Sequence, residues 1–264
     1  MMNPEVIVRL DEIARCLESA QRVLFITGAG ISADSGLPTY RGVGGLYDGT
    51  VTDEGLRIEE ILSGEFFAHR PDLTWKYLLQ IEENCRAAKP NAAHQAIAQL
   101  ESSRGSGADS GVLILTQNVD GLHRAAGSRN LIEIHGNLQT LICTACDHQE
   151  TVSELAQRSM PPRCPRCQAV LRPDVVLFGE SLPEPAVDRL LDEMAKGFDL
   201  VFTIGTSNAF PYIVEPVVEA LQNGVPTVEI NPGKTVLSEL VDYPIPLGAA
   251  EAMQAIMARL TVGR

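Results

Sequence analysis

The chain has 264 residues, of which 45% are hydrophobic, 21% charged and 5% aromatic, and its formal net charge at pH 7 is −13. Such a composition is typical of a globular protein with a substantial buried core. The acidic excess argues against nucleic-acid partners, since proteins that bind them carry a basic patch. The sequence has no apolar run of about 18 residues and no basic start followed by an apolar core, so we expect a cytoplasmic protein with no membrane partner.

Short apolar runs alternate with helical periodicity along most of the chain. The runs lack polar-apolar alternation, which is typical of strands buried on both faces of a parallel sheet. The predicted strands are Val23–Thr27, Val112–Thr116, Leu131–His135, Asp199–Ile204 and Val225–Ile230. The predicted helices are Val6–Ser19, Ala92–Glu101, Pro185–Ala195, Pro211–Gln222 and Glu251–Leu260. This order predicts an α/β fold with a doubly wound parallel sheet, whose ligands bind at the carboxyl ends of the strands.

Two stretches interrupt the alternation. Residues 39–89 show helical periodicity but no convincing strand, and residues 137–172 hold four cysteines and few apolar side chains. We therefore predict a main domain made of residues 1–38, 90–136 and 173–264. The first interruption is predicted to be a helical insert with a glycine-rich cofactor loop, and the second a metal-stapled module.

The first predicted strand leads into G-A-G-I-S-A, from Gly28 to Ala33. Glycines in a G-x-G-x-x-A pattern permit a tight turn and the close approach of a pyrophosphate to a helix N-terminus. A plain strand-to-helix turn would show the same pattern. Gly36 and Pro38 then stop the helix almost at once, whereas a hydride-transferring dinucleotide fold continues the helix and places an acidic ribose ligand on the next strand. The sequence therefore argues against an ordinary dehydrogenase.

Polar side chains follow several other predicted strands. Gln117, Asn118 and Asp120 come directly after one strand, and their groups suit sugar hydroxyls or a carboxamide. A helix N-cap at Asn118 or Asp120 explains the same residues equally well. His135 ends the next strand, where doubly wound folds place catalytic groups, and is therefore a candidate general base. The pattern of a strand followed by polar residues recurs at Gly205, Thr206, Ser207 and Asn231.

The second insert contains two Cys-x-x-Cys pairs, Cys143 with Cys146 and Cys164 with Cys167. This spacing matches a four-thiolate zinc ribbon. Four thiolates complete the tetrahedron and leave no open position for catalysis. We therefore predict one structural Zn²⁺ per chain, with free thiols as the alternative.

Taken in chain order, these segments resemble the sirtuins, the NAD-dependent protein deacylases. The resemblance covers almost the whole chain and also includes Ser35–Arg41, Arg172–Glu180 and Gly248–Ala250. It implies a Rossmann-like NAD-binding domain that carries a small inserted zinc-ribbon module and a helical insert. The substrate, an acyl-lysine protein or peptide, would lie in the cleft between the domain and the inserts.

The resemblance also assigns roles to individual residues. His135 would be the catalytic base, assisted by Asn118 and Asp120. The NAD contacts it implies are Gly28, Ala29, Gly30, Ala33, Tyr40, Arg41, Gln117, Asn118, Asp120, Gly205, Thr206, Ser207, Asn231 and Ala250. The substrate peptide would add as a strand along Val175, Val176, Phe178, Gly179 and Glu180, a mode whose affinity comes mainly from main-chain hydrogen bonds.

In the reaction that the resemblance implies, the acyl-lysine oxygen attacks C1′ of the nicotinamide ribose and expels nicotinamide. His135 then acts as general base on the ribose hydroxyls, a task that suits an imidazole with an ordinary pKa of about 6.5. Water completes the release of free lysine and O-acyl-ADP-ribose. A mono-ADP-ribosyltransferase or NAD glycohydrolase on the same fold and an NAD-sensing module without turnover are the alternatives. His135 favours deacylation.

The chain departs from the family pattern in places. Tyr40 stands where Phe is usual, and Asn208–Phe210 is bulkier than expected. Sirtuins that remove acidic acyl groups carry a Tyr three residues after a Trp and an Arg three further on, whereas counting from Trp75 gives Leu78 and Ile81. We therefore expect Leu78 and Ile81 to line a pocket for acetyl or longer apolar acyl groups. The alternative is that both face the helical core.

Overall fold

The computed structural model describes residues 2–39, 52–105, 110–152, 155 and 158–262. In chain order its elements are α1 (Pro4–Ser19), β1 (Val23–Thr27), a 3-10 helix (Ala29–Ser35), α2 (Ile58–Ile61), α3 (Gly64–His69), α4 (Pro71–Ala87), α5 (Ala92–Ser103), β2 (Val112–Thr116), α6 (Leu122–Ala126), β3 (Leu131–Glu133), β4 (Gly136–Cys143), β5 (Gln149–Thr151), β6 (Leu171–Val175), α7 (Glu184–Ala195), β7 (Leu200–Ile204), α8 (Pro211–Gln222), β8 (Thr227–Ile230), β9 (Tyr243–Ile245) and α9 (Ala249–Val262).

The main layer is a six-stranded sheet in the order β3-β2-β1-β7-β8-β9. Every neighbouring pair in this sheet is parallel. The chain builds one half outward from β1 through β2 and β3, and the other outward from β7 through β8 and β9. The strand order thus reverses between β1 and β7, which confirms the predicted doubly wound, Rossmann-like architecture.

The central strands bury both faces, which explains why their sequences lack alternation. In β1, Val23 and Phe25 pack into a core with α1, α5 and α9, whereas Leu24 and Ile26 pack against α7 and α8. Successive strand residues point to opposite faces, so helices on both sides of the sheet require apolar residues at every position. Each such side chain contributes roughly 1.5–3 kcal/mol on burial.

Local sequence signals set the start of α1. The Asn3 side chain accepts a hydrogen bond from the Glu5 N–H at 3.0 Å, and Pro4 occupies the first helical position. An N-cap acceptor satisfies a main-chain N–H that has no partner within the helix, and proline there loses no hydrogen bond. From this start, the buried face of α1 packs on the sheet.

The two predicted inserts share one hydrophobic core. Helices α2, α3 and α4 pack with a second, three-stranded sheet of order β5-β4-β6, whose pairs are antiparallel. Trp75 of α4 is fully buried, and its indole N–H donates to the carbonyl of Leu171 in β6 at 2.8 Å. A buried indole needs such a partner, so this bond fixes α4 against the cysteine-bearing sheet.

Element boundaries differ from the sequence-based expectation at a few places. Strand β3 ends at Glu133 rather than His135, and β8 begins at Thr227 rather than Val225. The short edge strand β9 escaped prediction because it has three residues and contains Pro244, which a sheet tolerates at its edge. Strand β6 crosses the predicted boundary between residues 172 and 173; the domain boundaries stay predictions. No described helix is long and apolar enough to cross a membrane.

Candidate active site

The loops after β1 and β7 meet main chain to main chain at the point where the strand order reverses. The Gly30 N–H donates to the Gly205 carbonyl at 2.7 Å. A Cβ atom on Gly30 would lie 2.6 Å from Gly205 Cα, and one on Gly28 would lie 2.8 Å from Thr206 Cα. These glycines are therefore required by close packing, and they bring the first turn of the 3-10 helix to the crevice where doubly wound folds bind dinucleotides.

The helix after β1 is short, as the sequence predicts. It is a 3-10 helix that ends at Gly36, which has a φ of +85° and donates its N–H to the Ala33 carbonyl at 2.9 Å. A left-handed residue at this position favours glycine. Tyr40 and Arg41, two expected cofactor contacts, lie outside the described residues.

Asn118 and Asp120 converge on the same helix through Ser32. The buried Asn118 amide donates to the Gly28 carbonyl at 3.1 Å and to Ser32 Oγ at 3.3 Å. Ser32 Oγ in turn donates to Asp120 Oδ2 at 2.8 Å. Burial raises the pKa of Asp120, while the N–H of Leu122 and the Ser32 hydroxyl act in the opposite direction. Asp120 Oδ1 also accepts the Leu122 N–H at the start of α6, although the N-cap position of that helix is Gly121. The binding of a carboxamide by Asn118 and Asp120 stays a prediction.

Thr206 links three of the strand ends. Its hydroxyl oxygen accepts a hydrogen bond from the Gln117 amide at 2.9 Å, and its carbonyl accepts one from the Asn231 amide at 2.9 Å. The exposed Ser207 follows it. On the other side of the 3-10 helix, the Ala250 N–H donates to Asp34 Oδ2 at 3.1 Å. The polar residues predicted from separate strands thus lie along one continuous edge.

His135 lies at the carboxyl edge of the sheet, after β3. Its Nδ1 is 3.0 Å from the Gln117 carbonyl, which can only accept, so Nδ1 carries the hydrogen and Nε2 carries the lone pair. The Tyr212 hydroxyl lies 2.7 Å from Nε2 and donates to it. Burial lowers the pKa of His135, although the hydrogen bond to Gln117 partly opposes this shift. The imidazole is therefore neutral at neutral pH and basic at Nε2.

A small cavity lies beside the hydrogen-bonded side chains of Ser32, Asn118 and Asp120. Its lining includes Ala29, Ser32, Leu37, Pro38, Ile81, Asn84, Cys85, Asn118, Val119 and Asp120. Ile81, one of the two expected acyl contacts, thus faces the amide and carboxylate predicted to bind nicotinamide. Leu78, the other one, is 4% exposed and packs into the core shared by the inserts, away from this lining.

The segment predicted to bind the peptide runs between the His135 strand end and the helical insert. The Val176 N–H donates to the His135 carbonyl at 2.9 Å, and the Phe178 N–H donates to the Leu62 carbonyl at 3.0 Å. Glu180 is held by Arg172, with Nη2 and Oε2 2.8 Å apart. Gly179 is exposed at the end of the segment.

The four cysteines come together. Sγ of Cys143 lies 3.4 Å from that of Cys167, Sγ of Cys146 lies 3.7 Å from that of Cys164, and all four sulfurs lie within 4.8 Å of one another. A tetrahedron with Zn–S bonds of about 2.3 Å has S···S edges of about 3.8 Å. The donor set and its spacing therefore fit a zinc ion with no ligand position left open.

Several contacts of the candidate site were not expected from the sequence. Ser32 lies inside the glycine pattern, where a small residue signals only a turn. No local sequence pattern pointed to Asp34 or Tyr212, because their hydrogen-bond partners, Ala250 and His135, lie far away in sequence. The sequence could not reveal contacts between loops that follow different strands.

Comparison with known proteins gives a consistent result. The model of the Sir2 family matches residues 28–211. The NAD-dependent protein deacylase 2 of Pseudomonas aeruginosa is 49% identical over 251 residues, which cover 94% of this chain and 96% of that protein. A solved Sir2 homologue in complex with NAD superposes with a TM-score of 0.83 at 35% identity, covering 96% of this chain and 94% of its own. A Sir2 complex with a p53 peptide and NAD⁺ gives 0.79 at 28% identity, covering 95% and 98%.

Proposed function

The chain belongs to the Sir2 family and is an NAD-dependent protein deacylase, and we propose that His135 is the general base of its reaction. The observation that supports this role most directly is the fixed imidazole, with Nδ1 bonded to the Gln117 carbonyl and the lone pair on Nε2. The proposed substrates are acyl-lysine side chains of cytoplasmic proteins. Free lysine, nicotinamide and O-acyl-ADP-ribose are the expected products.

When bound, NAD supplies a ribose carbon that accepts the acyl oxygen and a nicotinamide group that leaves. The main chain of Gly28 and Gly30 would lie against its diphosphate, since these residues allow no side chain at the crevice. Asn118 and Asp120 would bind the carboxamide end, because an amide and a carboxylate together offer a donor and an acceptor. His135 would act at Nε2 as the base for a ribose hydroxyl after nicotinamide has left.

Burial suits His135 to this task. Its lowered pKa keeps the imidazole neutral at neutral pH, so the base is in its active form without prior loss of a proton. The Gln117 carbonyl then stabilises the imidazolium that forms, because it accepts a hydrogen bond from the charged ring at Nδ1. A positioned base of this kind contributes roughly 10²–10⁴-fold to the rate.

The zinc is proposed to be structural. The four thiolates of Cys143, Cys146, Cys164 and Cys167 would bind the ion and thereby cross-link the end of β4 to the loop before β6. Since this sheet shares a core with α4, the metal stabilises the wall of the cleft that faces the main domain. It takes no part in the chemistry.

The test is to incubate the purified protein with NAD⁺ and an acetyl-lysine peptide and to detect both products by mass. His135→Ala should reduce deacylation by at least about 10²-fold, since a general base is lost. Exchange of labelled nicotinamide should persist, because His135 is proposed to act after nicotinamide has left. Binding of NAD⁺ should change little.

His69→Ala is the matched control, because His69 is an exposed histidine in α3. It should leave both deacylation and exchange unchanged. Deacylation by His135→Ala within a few fold of the wild-type rate would rule out His135 as the base. Transfer of ADP-ribose to protein, or release of nicotinamide without loss of the acyl group, would instead point to the transferase or glycohydrolase activities.

A further inference from the structure

The lone pair of His135, the proposed base, already accepts a hydrogen bond within the protein. Nε2 of His135 has one in-plane lone pair, and the Tyr212 hydroxyl occupies it at 2.7 Å. Nδ1 is engaged by the Gln117 carbonyl at 3.0 Å. A ribose hydroxyl therefore reaches this base either by displacing Tyr212 or by passing its proton through the Tyr212 oxygen.

The surroundings of Tyr212 hold its hydroxyl in place. Its ring stacks on that of Phe210, with centroids 5.4 Å apart and planes at 14°, and both rings meet the imidazole edge to face. Tyr212 also lies in the first turn of α8, whose neighbouring Ile213 and Val217 are fully buried against the sheet. Displacing the hydroxyl would require unpacking a stacked aromatic pair from a helix anchored in the core.

The hydrogen bond also crosses the predicted cofactor crevice. His135 follows β3 at one edge of the sheet, whereas Tyr212 follows β7, beyond both β2 and β1. Tyr212 lies in the first turn of α8, directly after the loop of Gly205, Thr206 and Ser207, the residues expected to contact the cofactor. Its hydroxyl is therefore positioned between the cofactor loop and the base.

We propose that Tyr212 is a catalytic residue of this enzyme, which relays the ribose hydroxyl proton to His135. This inference rests on the proposed role of His135. The ribose O–H bond breaks and its proton bonds to the Tyr212 oxygen, while the original Tyr212 hydroxyl proton moves to Nε2 of His135. Tyrosine ends neutral as it began, the imidazole becomes imidazolium, and the ribose oxygen gains the electron pair with which it attacks.

The test compares Tyr212→Phe with the wild-type protein. Phenylalanine keeps the ring that stacks on Phe210 and removes only the hydroxyl, so the variant should fold with an unchanged Tm. Deacylation should fall by at least about tenfold, since a positioned proton-transfer group is lost. Nicotinamide exchange should stay near the wild-type rate. In a His135→Ala background, Tyr212→Phe should cause no further loss, because both residues serve one proton path.

Tyr243→Phe is the matched control, since Tyr243 is a partly buried tyrosine in β9 that packs against α1 and α9. It should leave both rates unchanged. A Tyr212→Phe enzyme that deacylates within twofold of wild type, or faster, would overturn the relay. It would show that the ribose hydroxyl displaces the Tyr212 hydroxyl from His135. Equal losses of exchange and deacylation would overturn it in favour of a structural role.

A second measurement uses the NAD-free wild-type protein and so does not depend on activity. The ¹⁵N chemical shifts of His135 should show the Nδ1–H tautomer, with Nε2 as a hydrogen-bond acceptor, and the Nε2 shift should change in Tyr212→Phe. An Nε2–H tautomer would overturn the relay, since a protonated nitrogen cannot accept from Tyr212. If His135→Ala itself deacylates normally, the proposed function fails first. If only Tyr212→Phe retains activity, the relay alone fails.

Discussion

Replacing Gly30 with alanine tests the contact that shapes the cofactor crevice. The new Cβ atom would lie 2.6 Å from Gly205 Cα and 2.7 Å from its carbonyl oxygen. Carbon atoms pack at about 3.5–4.0 Å, so the two loops must separate by roughly 1 Å and weaken the Gly30 to Gly205 hydrogen bond. Overpacking costs about 1–3 kcal/mol and the lost hydrogen bond about 0.5–1.5 kcal/mol. Together these lower Tm by roughly 3–18 °C for a chain of this size.

The same displacement should weaken NAD⁺ binding by at least about tenfold, because the diphosphate would have to bind to a loop misplaced by roughly 1 Å. Thermal unfolding and calorimetric NAD⁺ titration measure the two effects. Gly224→Ala is the control: Gly224 has a φ of +67° and open space around its Cα, so alanine there costs about 1–2 kcal/mol of backbone strain without touching the crevice. Unchanged NAD⁺ affinity in Gly30→Ala, or an equal loss in Gly224→Ala, would refute the reasoning.

Three further predictions follow from the structure. Cys164→Ala should lose the single zinc, measured by atomic absorption, and with it cooperative unfolding of the inserts, because thiolate-bound zinc couples to local folding; a zinc-free, fully active variant would contradict a structural metal. Burial lowers the pKa of His94 to about 4 and that of His123 to about 3. Below pH 6.5 both histidines therefore become protonated in the unfolded chain but stay neutral in the folded chain. The free energy of unfolding should fall by roughly 3–4 kcal/mol between pH 7 and 5 from these two groups. Urea titrations should show about half that loss in His123→Gln, and an equal loss would contradict the assignment. Finally, kcat/KM for acetyl- or butyryl-lysine peptides should exceed that for succinyl-lysine by at least about tenfold, or roughly 1.4 kcal/mol, because the basic side chains of α4 are already paired with carboxylates. Equal turnover of the succinyl peptide would contradict this.

The parallel sheet could be predicted because burial on both faces leaves a simple trace in sequence. Strands β1, β2 and β7 are runs of five buried residues, and each was recognisable from its uninterrupted apolar or threonine content. Because the ends of these strands could be located in the sequence, the polar residues that follow them could be placed at the carboxyl edge of the sheet. Gly30 and Gly205 were visible as glycines, and their mutual contact explains why both are needed.

The remaining contacts could not be predicted, because they join loops that no local pattern connects. The bond from Trp75 to Leu171 unites two segments that look like separate inserts. The placement of Leu78 and Ile81 depends on the rotation of α4 about its axis, which the Trp75 bond sets and the amphipathic pattern does not. Leu78 is therefore buried in the core, whereas Ile81 packs at the edge of that core and also lines the cavity.

Burial acts on the two titratable groups of the crevice in opposite directions on the pH scale. It lowers the pKa of His135 and raises that of Asp120, because in each case it disfavours the charged form. The proposed reaction needs His135 neutral, and the ionised form of Asp120 is the one that accepts both the Ser32 hydroxyl and the Leu122 N–H. Both requirements fail on the acid side, so the pH at which deacylation declines is set by whichever group has the higher pKa. The lowered pKa of His135 places the histidine part of that decline below the ordinary value of about 6.5. Asp120→Asn, which cannot titrate, would then separate the His135 contribution from the carboxylate contribution in the same pH profile.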